Sequence, residues 1–193
     1  MKKRLFVALD PPGRTKDELA ALCQGLPDSR WTAPEQLHLT LCFIGEADGS
    51  TFLDIRDALQ EITAAPFSLK LEGLGLFPPR RAPRVLWAGV QPNAALSQLQ
   101  RKVVNCVRSC GVVLEKRKFA PHITLARLQD GALPRLERYL GAHALFSAEP
   151  FVVSCFTLYS SVLGRGGPTH LAEAEYALVE QNSGCGIKKA ANT

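Results

Sequence analysis

The chain has 193 residues, 46% of them hydrophobic and 21% charged, enough to bury a sizeable core and too apolar for an intrinsically disordered protein. No run approaches the roughly eighteen apolar residues that a membrane-spanning helix needs, and the early run Leu5 to Leu9 stops at Asp10 and two prolines, too soon for a signal peptide. The 23 Lys and Arg outnumber the 18 Asp and Glu, giving a net charge of +5 that favours an anionic partner, and the cysteines lack Cys-x-x-Cys or metal-ligand spacing, so reduced thiols in a cytoplasmic protein are expected.

In chain order, the first predicted strand is Arg4–Leu9. Thr15-Lys16-Asp17-Glu18 has capping-box spacing and is expected to start a helix carrying Leu19, Leu22 and Cys23 that stops near Gly25. A strand follows over Leu37–Gly45, then a helix from Thr51 to Ile62 with Phe52, Ile55, Leu59 and Ile62 on one face. Strands over Phe67–Leu76 and Arg84–Val90 lead to a third helix, striped by Leu96, Leu99, Val103, Cys106 and Cys110 and closed by Gly111. His122–Leu128 reads as a strand, Leu133–Leu140 as a helix ending at Gly141, and Phe151–Leu163 and Glu175–Val179 as the last strands. Residues 1–181 are expected to form one domain, and 182–193, NSGCGIKKAANT, a loose polar tail. Short strands interleaved with helices predict an α+β fold.

Two stretches stand out within this order: HLTLCFIG, from His38, and HITLAR, from His122. On an extended chain alternate side chains share a face, so His38 and Thr40 point one way while Leu39 and Leu41 point into the core; the same holds for His122 and Thr124. A lone strand histidine is usually structural. Two identical His-x-Thr pairs in a chain with four histidines, in comparable surroundings, argue instead for a duplicated unit and a shared cleft. Two imidazoles and two hydroxyls suit phosphoryl chemistry: one histidine takes a proton from the attacking oxygen, the other protonates the leaving oxygen, and Thr40 and Thr124 donate to the non-bridging oxygens. Arg127 would add a charged hydrogen bond, but strand parity turns it away from His122 unless a bulge intervenes. Phe119 beside the second motif and Phe43 within the first are candidate substrate contacts; Trp31 and Phe119, which flank the motifs, could stack on a base, with core packing the expected role of Trp31. Basic clusters in PPRRAPR and EKRKF, including Arg80, Arg81, Arg84, Lys116 and Arg117, could steer an anion. A zinc site at His38 and His122 fails for want of a third ligand. His143 and His170 lack a threonine partner and are expected to be structural or surface residues, with a non-catalytic substrate contact as the alternative for His170.

The two motifs resemble those of the 2H phosphoesterase superfamily, in particular its RNA 2′,3′-cyclic phosphodiesterase (2′-5′ RNA ligase-like) branch. RLFVALDPP, WTAPEQLHLTLCFIGE, PRVLWAGV, KFAPHITLAR, FTLYSSVL and EYALVE occur in that branch's order and cover nearly the whole chain. The resemblance implies two pseudo-symmetric lobes of antiparallel sheet plus helices around a central cleft. It implies metal-free hydrolysis of a terminal 2′,3′-cyclic phosphate on RNA to a 2′-phosphate, with no cofactor. For the hydrolysis it implies His38 as proton donor to the leaving 3′ oxygen and His122 as the base that activates water, and it also implies 2′-5′ RNA ligation in the reverse direction at the same phosphorus. A monomer is expected. A non-catalytic RNA-binding module and a phosphodiesterase for small cyclic nucleotides are the alternatives.

Overall fold

Leu5 to Leu9 are buried at every position, which requires a strand covered on both faces, and they form β1 (Lys3–Leu9) at the centre of the fold. The computed structural model of the protein describes residues 2–27, 29–78, 84–128, 133–164 and 167–179. After β1 come α1 (Gly13–Leu22), β2 (Ser29–Trp31), a single 3-10 turn at Pro34–Gln36, β3 (Leu39–Ala47) and α2 (Gly49–Gln60). There follow β4 (Phe67–Leu69), β5 (Leu71–Phe77), β6 (Val85–Val90), α3 (Ala94–Ser109), β7 (His122–Leu128) and α4 (Leu133–Ala142). The last elements are β8 (Phe151–Val153), β9 (Cys155–Gly164) and β10 (Gly167–Ala177).

The main sheet runs β10-β9-β1-β3-β7-β6-β5, with β2 pairing β7 as well. This order is a palindrome. Matching β1-α1-β3-α2-β4-β5 to β6-α3-β7-α4-β8-β9 exchanges the two sides of the sheet, with β3 and β7 meeting at the centre. The matched strands β4 and β8 likewise pair with each other, as a separate small sheet. The expected duplication is therefore written into the strand order, with β2 and β10 as additions to it.

One apolar core joins the halves, and the predicted helix stripes enter it: Leu19 and Leu22 from α1, Ile55 and Leu59 from α2, Leu96, Leu99 and Val103 from α3. Each such side chain contributes about 1.5–3 kcal/mol by leaving water. The described cysteines, Cys23, Cys42, Cys106, Cys110 and Cys155, are free thiols, and burial pushes Cys23 and Cys42 up to about 11, which keeps them protonated and unreactive.

Several element boundaries differ from the sequence reading. The capping box does not start α1, which begins at Gly13 after Pro12 with no side-chain cap, while Thr15 is buried inside it. The apparent box is a coincidence of spacing; Pro12 stands at the cap position with extended backbone, and its carbonyl accepts the first helical hydrogen bond from Lys16 N at 3.0 Å. Asp48 and Asn93 do cap their helices, accepting from Thr51 N and Leu96 N. Two predicted strands are each broken by one residue: Phe67–Leu76 into β4 and β5 at Lys70, and Phe151–Leu163 into β8 and β9 at Ser154. Both breaks let the chain pass from the small sheet to the main one. β10 begins eight positions earlier than Glu175, and α4 continues through Gly141 to Ala142. Arg80, Arg81 and the tail 182–193 lie outside the described residues.

Candidate active site

β3 and β7 carry the same burial pattern from their histidines onward. His38 and Thr40, like His122 and Thr124, are half-buried, while Leu39, Leu41, Ile123 and Leu125 are buried. Both strands then bulge at the same place. Across β1, Thr40 pairs with Ala8 and Cys42 with Val7, leaving Leu41 as the extra residue. Across β6, Thr124 pairs with Trp87 and Ala126 with Leu86, leaving Leu125 extra. An extra residue resets the alternation. Phe43 and Arg127 therefore turn onto the same face as the His-x-Thr pairs, which supplies the bulge that Arg127 required, and Phe43 is 72% exposed there.

The halves touch through the antiparallel pair Leu39–Ile123. An antiparallel register about that pair puts His38 opposite Thr124 and Thr40 opposite His122, all on one face. Each imidazole thus neighbours the hydroxyl of the other motif. Beyond this pair the strands part, because the edge of β7 is taken by β2 through Ser29–Leu128, Arg30–Arg127 and Trp31–Ala126, and Thr32 N donates to Leu125 O at 2.8 Å. Both motifs lie at this join, on the face that Phe43 and Arg127 share.

The two rings are held alike. His38 Nδ1 lies 2.7 Å from Gln36 O and His122 Nδ1 lies 2.7 Å from Ala120 O. A carbonyl only accepts, so Nδ1 carries the proton in both and Nε2 is the atom left for substrate. A neutral ring offers there a lone pair, a charged one an N–H. Burial pushes the His38 pKa below the usual histidine value, and His170 and Lys16 add to this while the Gln36 carbonyl and Asp10 oppose it.

The surroundings differ. Around His38 stand Phe6 at 5.0 Å between ring centroids and His170 at 5.2 Å, edge-on, with His170 also 4.8 Å from Phe6. Tyr159 stacks on Phe6 at 5.2 Å and donates its hydroxyl to Asp10 at 2.6 Å. Around His122 stand Phe77 at 5.0 Å and Trp87 at 6.0 Å. The Trp87 ring lies where a Cβ on Gly75 would be, 2.1 Å from that point, so only glycine leaves room for it.

The structure thus gathers His38, Thr40, His122, Thr124, Arg127 and Phe43 on one face. Phe119 lies outside this set as far as its contacts show: it is half-buried and packs against the core ahead of β7. Arg117 is exposed and paired with Glu115 at 2.8 Å. Two further residues stand beside these motifs: His170, which the sequence reading left outside the catalytic set, and Arg30, which it did not single out. His170 belongs to β10, where burial lowers its pKa and its Nδ1 is buried without a partner among the described residues. The glycines of GRGG between Leu163 and Pro168 were the available signal that a hairpin, not a long loop, follows β9. Arg30 sits in a three-residue strand, too short to show periodicity.

Comparison with known proteins agrees with this geometry. A family model described as LigT like Phosphoesterase matches residues 9–87 and 89–170, so the two stretches divide between β6's Trp87 and Gly89, close to the start of the second repeat. A Geobacillus stearothermophilus protein named RNA 2′,3′-cyclic phosphodiesterase is 43% identical over 139 residues, 69% of this chain but 44% of that protein, so the match spans less than half of its length. An Archaeoglobus fulgidus protein of the same name is 30% identical over 170 residues, 86% of this chain and 96% of that one. Among solved structures, E. coli LigT complexed with 3′-AMP superposes with a TM-score of 0.78 at 28% identity, covering 93% of this chain and all of the other. The palindromic sheet, the doubled His-x-Thr floor and these matches together make the chain a member of the LigT-like phosphoesterase family.

Proposed function

We propose that this protein hydrolyses the 2′,3′-cyclic phosphate at an RNA 3′ end to a 2′-phosphomonoester, with His38 and His122 as an acid–base pair and no metal in the reaction. The observation that carries this reading is the Leu39–Ile123 register, which brings two Nδ1-anchored imidazoles and two hydroxyls to one face. The names of the relatives, RNA 2′,3′-cyclic phosphodiesterase, supply the substrate class.

In the reaction, one Nε2 takes a proton from water as its oxygen bonds to phosphorus, and the other Nε2–H gives its proton to O3′ as the P–O3′ bond breaks. The ring that began neutral ends charged and the other ends neutral, and solvent restores both. Acid–base assistance of this kind is worth roughly 10²–10⁴-fold per residue. Thr40 and Thr124 donate to the non-bridging oxygens as charge builds on them, and Arg127 adds a charged donor. By resemblance His38 is the acid and His122 the base. Burial works against a protonated His38 in the free protein, so in this assignment the bound phosphate supplies the charge that holds the proton. A 5′-hydroxyl in place of water at the same base would give a 2′-5′ linkage, the ligation counterpart.

Both motifs lie in one chain, so a monomer suffices, and among the described residues no three His, Cys, Asp or Glu side chains cluster as metal ligands. No helix among the described residues is long and apolar enough to cross a membrane, and free thiols fit a reducing cytoplasm. The test is to incubate the protein in EDTA with an RNA ending in a 2′,3′-cyclic phosphate and locate the product phosphate. A 2′-phosphate is expected; a 3′-phosphate, or turnover only with added divalent metal, would overturn the mechanism.

A further inference from the structure

We propose that His170 is a third imidazole of the reaction, a hydrogen-bond donor to the leaving O3′ beside His38, and that it marks the His38 half as the leaving-group side. This rests on the acid–base reading above. The duplication alone does not tell the two motif histidines apart, because their strands, bulges and Nδ1 anchors match. β10 stands outside the duplication, at the edge of the sheet beside β9, and brings His170 to one of the two rings only. The pairs Arg4–Ser161 and Ser161–His170 put His170 on the face of Arg4, and so of Phe6 two positions along β1. From there its ring meets Phe6 at 4.8 Å and His38 at 5.2 Å between centroids, edge-on to both. The rings beside His122 offer nothing comparable: Phe77 has no polar atom, and the Nε1 of Trp87 is buried.

The two nitrogens of His170 are not equivalent. Nδ1 is buried without a partner among the described residues, so a proton there would be a buried donor with nothing to accept it, and the neutral ring carries its proton on Nε2. His38 and His122 are the opposite tautomer, with Nδ1–H on a carbonyl and a lone pair at Nε2 when neutral. His170 therefore offers an N–H without having to be charged, and burial disfavours its charged form. A neutral neighbour is also what a protonated His38 tolerates beside it. Two N–H donors on one oxygen place their nitrogens about 4.5–5 Å apart, a spacing within reach of rings whose centroids are 5.2 Å apart. In an in-line displacement the attacking water lies at His122, on the other side of phosphorus, so a donor beside His38 meets the leaving oxygen and not the nucleophile. As the P–O3′ bond breaks, its electron pair goes to O3′, which takes the proton of His38 Nε2; His170 keeps its own proton and donates while the charge develops.

The experiment compares His170→Phe, which keeps a ring against Phe6 and loses the donor, with His170→Gln, which loses the ring and keeps an N–H donor. On an RNA ending in a 2′,3′-cyclic phosphate, His170→Phe is expected to lower kcat about 10²-fold with KM changed less than about threefold, and His170→Gln to recover about tenfold of that loss. Binding of a nucleoside 2′-phosphate and of its 3′-deoxy form, which lacks only O3′, reads the same contact without turnover. The 3′-hydroxyl accepts from His170 and donates to neutral His38, so the unsubstituted protein should prefer the 3′-hydroxyl form about tenfold. His170→Phe should reduce that preference to less than about threefold, and His122→Ala should keep it. An unaltered kcat in His170→Phe overturns the proposal, as do equal losses in His170→Phe and His170→Gln, the mark of a packing role. A preference kept in His170→Phe and lost in His122→Ala would put the leaving oxygen on the His122 side and overturn it as well. If the cyclic phosphate is not hydrolysed but the binding preference depends on His170 as stated, the proposed reaction fails and the contact stands.

Discussion

The His38 half and the His122 half share a bulged strand, a ring anchored through Nδ1 and a buried leucine beneath, yet they surround their histidines differently. The His38 half packs its ring against a second histidine and beside a tyrosine–aspartate pair; the His122 half packs its ring against phenylalanine and tryptophan. Matching through the registers puts Ala8 where Trp87 stands and Tyr159 where Phe77 stands. Symmetry of the backbone supplies two equivalent ring positions, and the divergence of the side chains gives them unequal surroundings, which the proposed acid–base pair would use.

The sharpest way to break the comparison is to remove either ring. His38→Ala and His122→Ala are each expected to lower kcat by about 10²–10⁴-fold with little change in melting temperature, and the double variant should lose far less than the product of the two losses. A single variant with near-normal turnover removes that histidine from the mechanism. The unsubstituted protein should give a bell-shaped pH–rate profile whose limbs belong to the pair. Each single variant should lose one limb, the acid limb marking the base and the alkaline limb the acid.

Removing a hydroxyl should cost less. Thr40→Val and Thr124→Val are each expected to lower kcat by about 10²-fold, mostly without raising KM, as for a donor to a developing oxyanion. If only one of them matters, the phosphate sits off the pseudo-twofold axis, which single-turnover rates for the two variants would reveal.

A smaller effect tests the aromatic wall of the second half. In Gly75→Ala the new Cβ meets the Trp87 ring, so the ring must shift, and denaturant unfolding should show a loss of about 1–3 kcal/mol. The matching position in the first half is Thr157, buried but with no tryptophan over it, so the asymmetry predicts sensitivity at Gly75 alone.

The smallest expected effect is on stability against pH. His38 and His170 both have pKa values lowered by burial, so across the interval from those lowered values up to about 6.5 the unfolded chain binds more protons than the folded one. Stability therefore rises with pH through that interval and is lost as pH falls. Besides each other, the groups facing His38 are Asp10 and Lys16, with Tyr159 held on Asp10. Urea midpoints measured from pH 5 to pH 8 should show this slope, reduced in His170→Gln; an unchanged slope would separate His170 from the acid side.

The sequence by itself determined the motif strands and the inward leucines, because period-two alternation is a property of the extended backbone and survives in any strand context. It determined the helix faces for the same reason, and the repeated His-x-Thr was enough to expect two related halves. It did not determine that Arg127 shares the face of His122 and Thr124, since a bulge arises from pairing with a neighbouring strand and leaves no mark on the bulged strand's own pattern. Nor did it place His170 beside His38 or Arg30 opposite Arg127. Their positions come from register with β9 and β7, contacts between residues far apart in the chain, which no local periodicity encodes. Tertiary structure alone decided that each histidine faces the other motif's threonine, because that crossing depends on Leu39 meeting Ile123, a contact fixed by packing the two halves around one core.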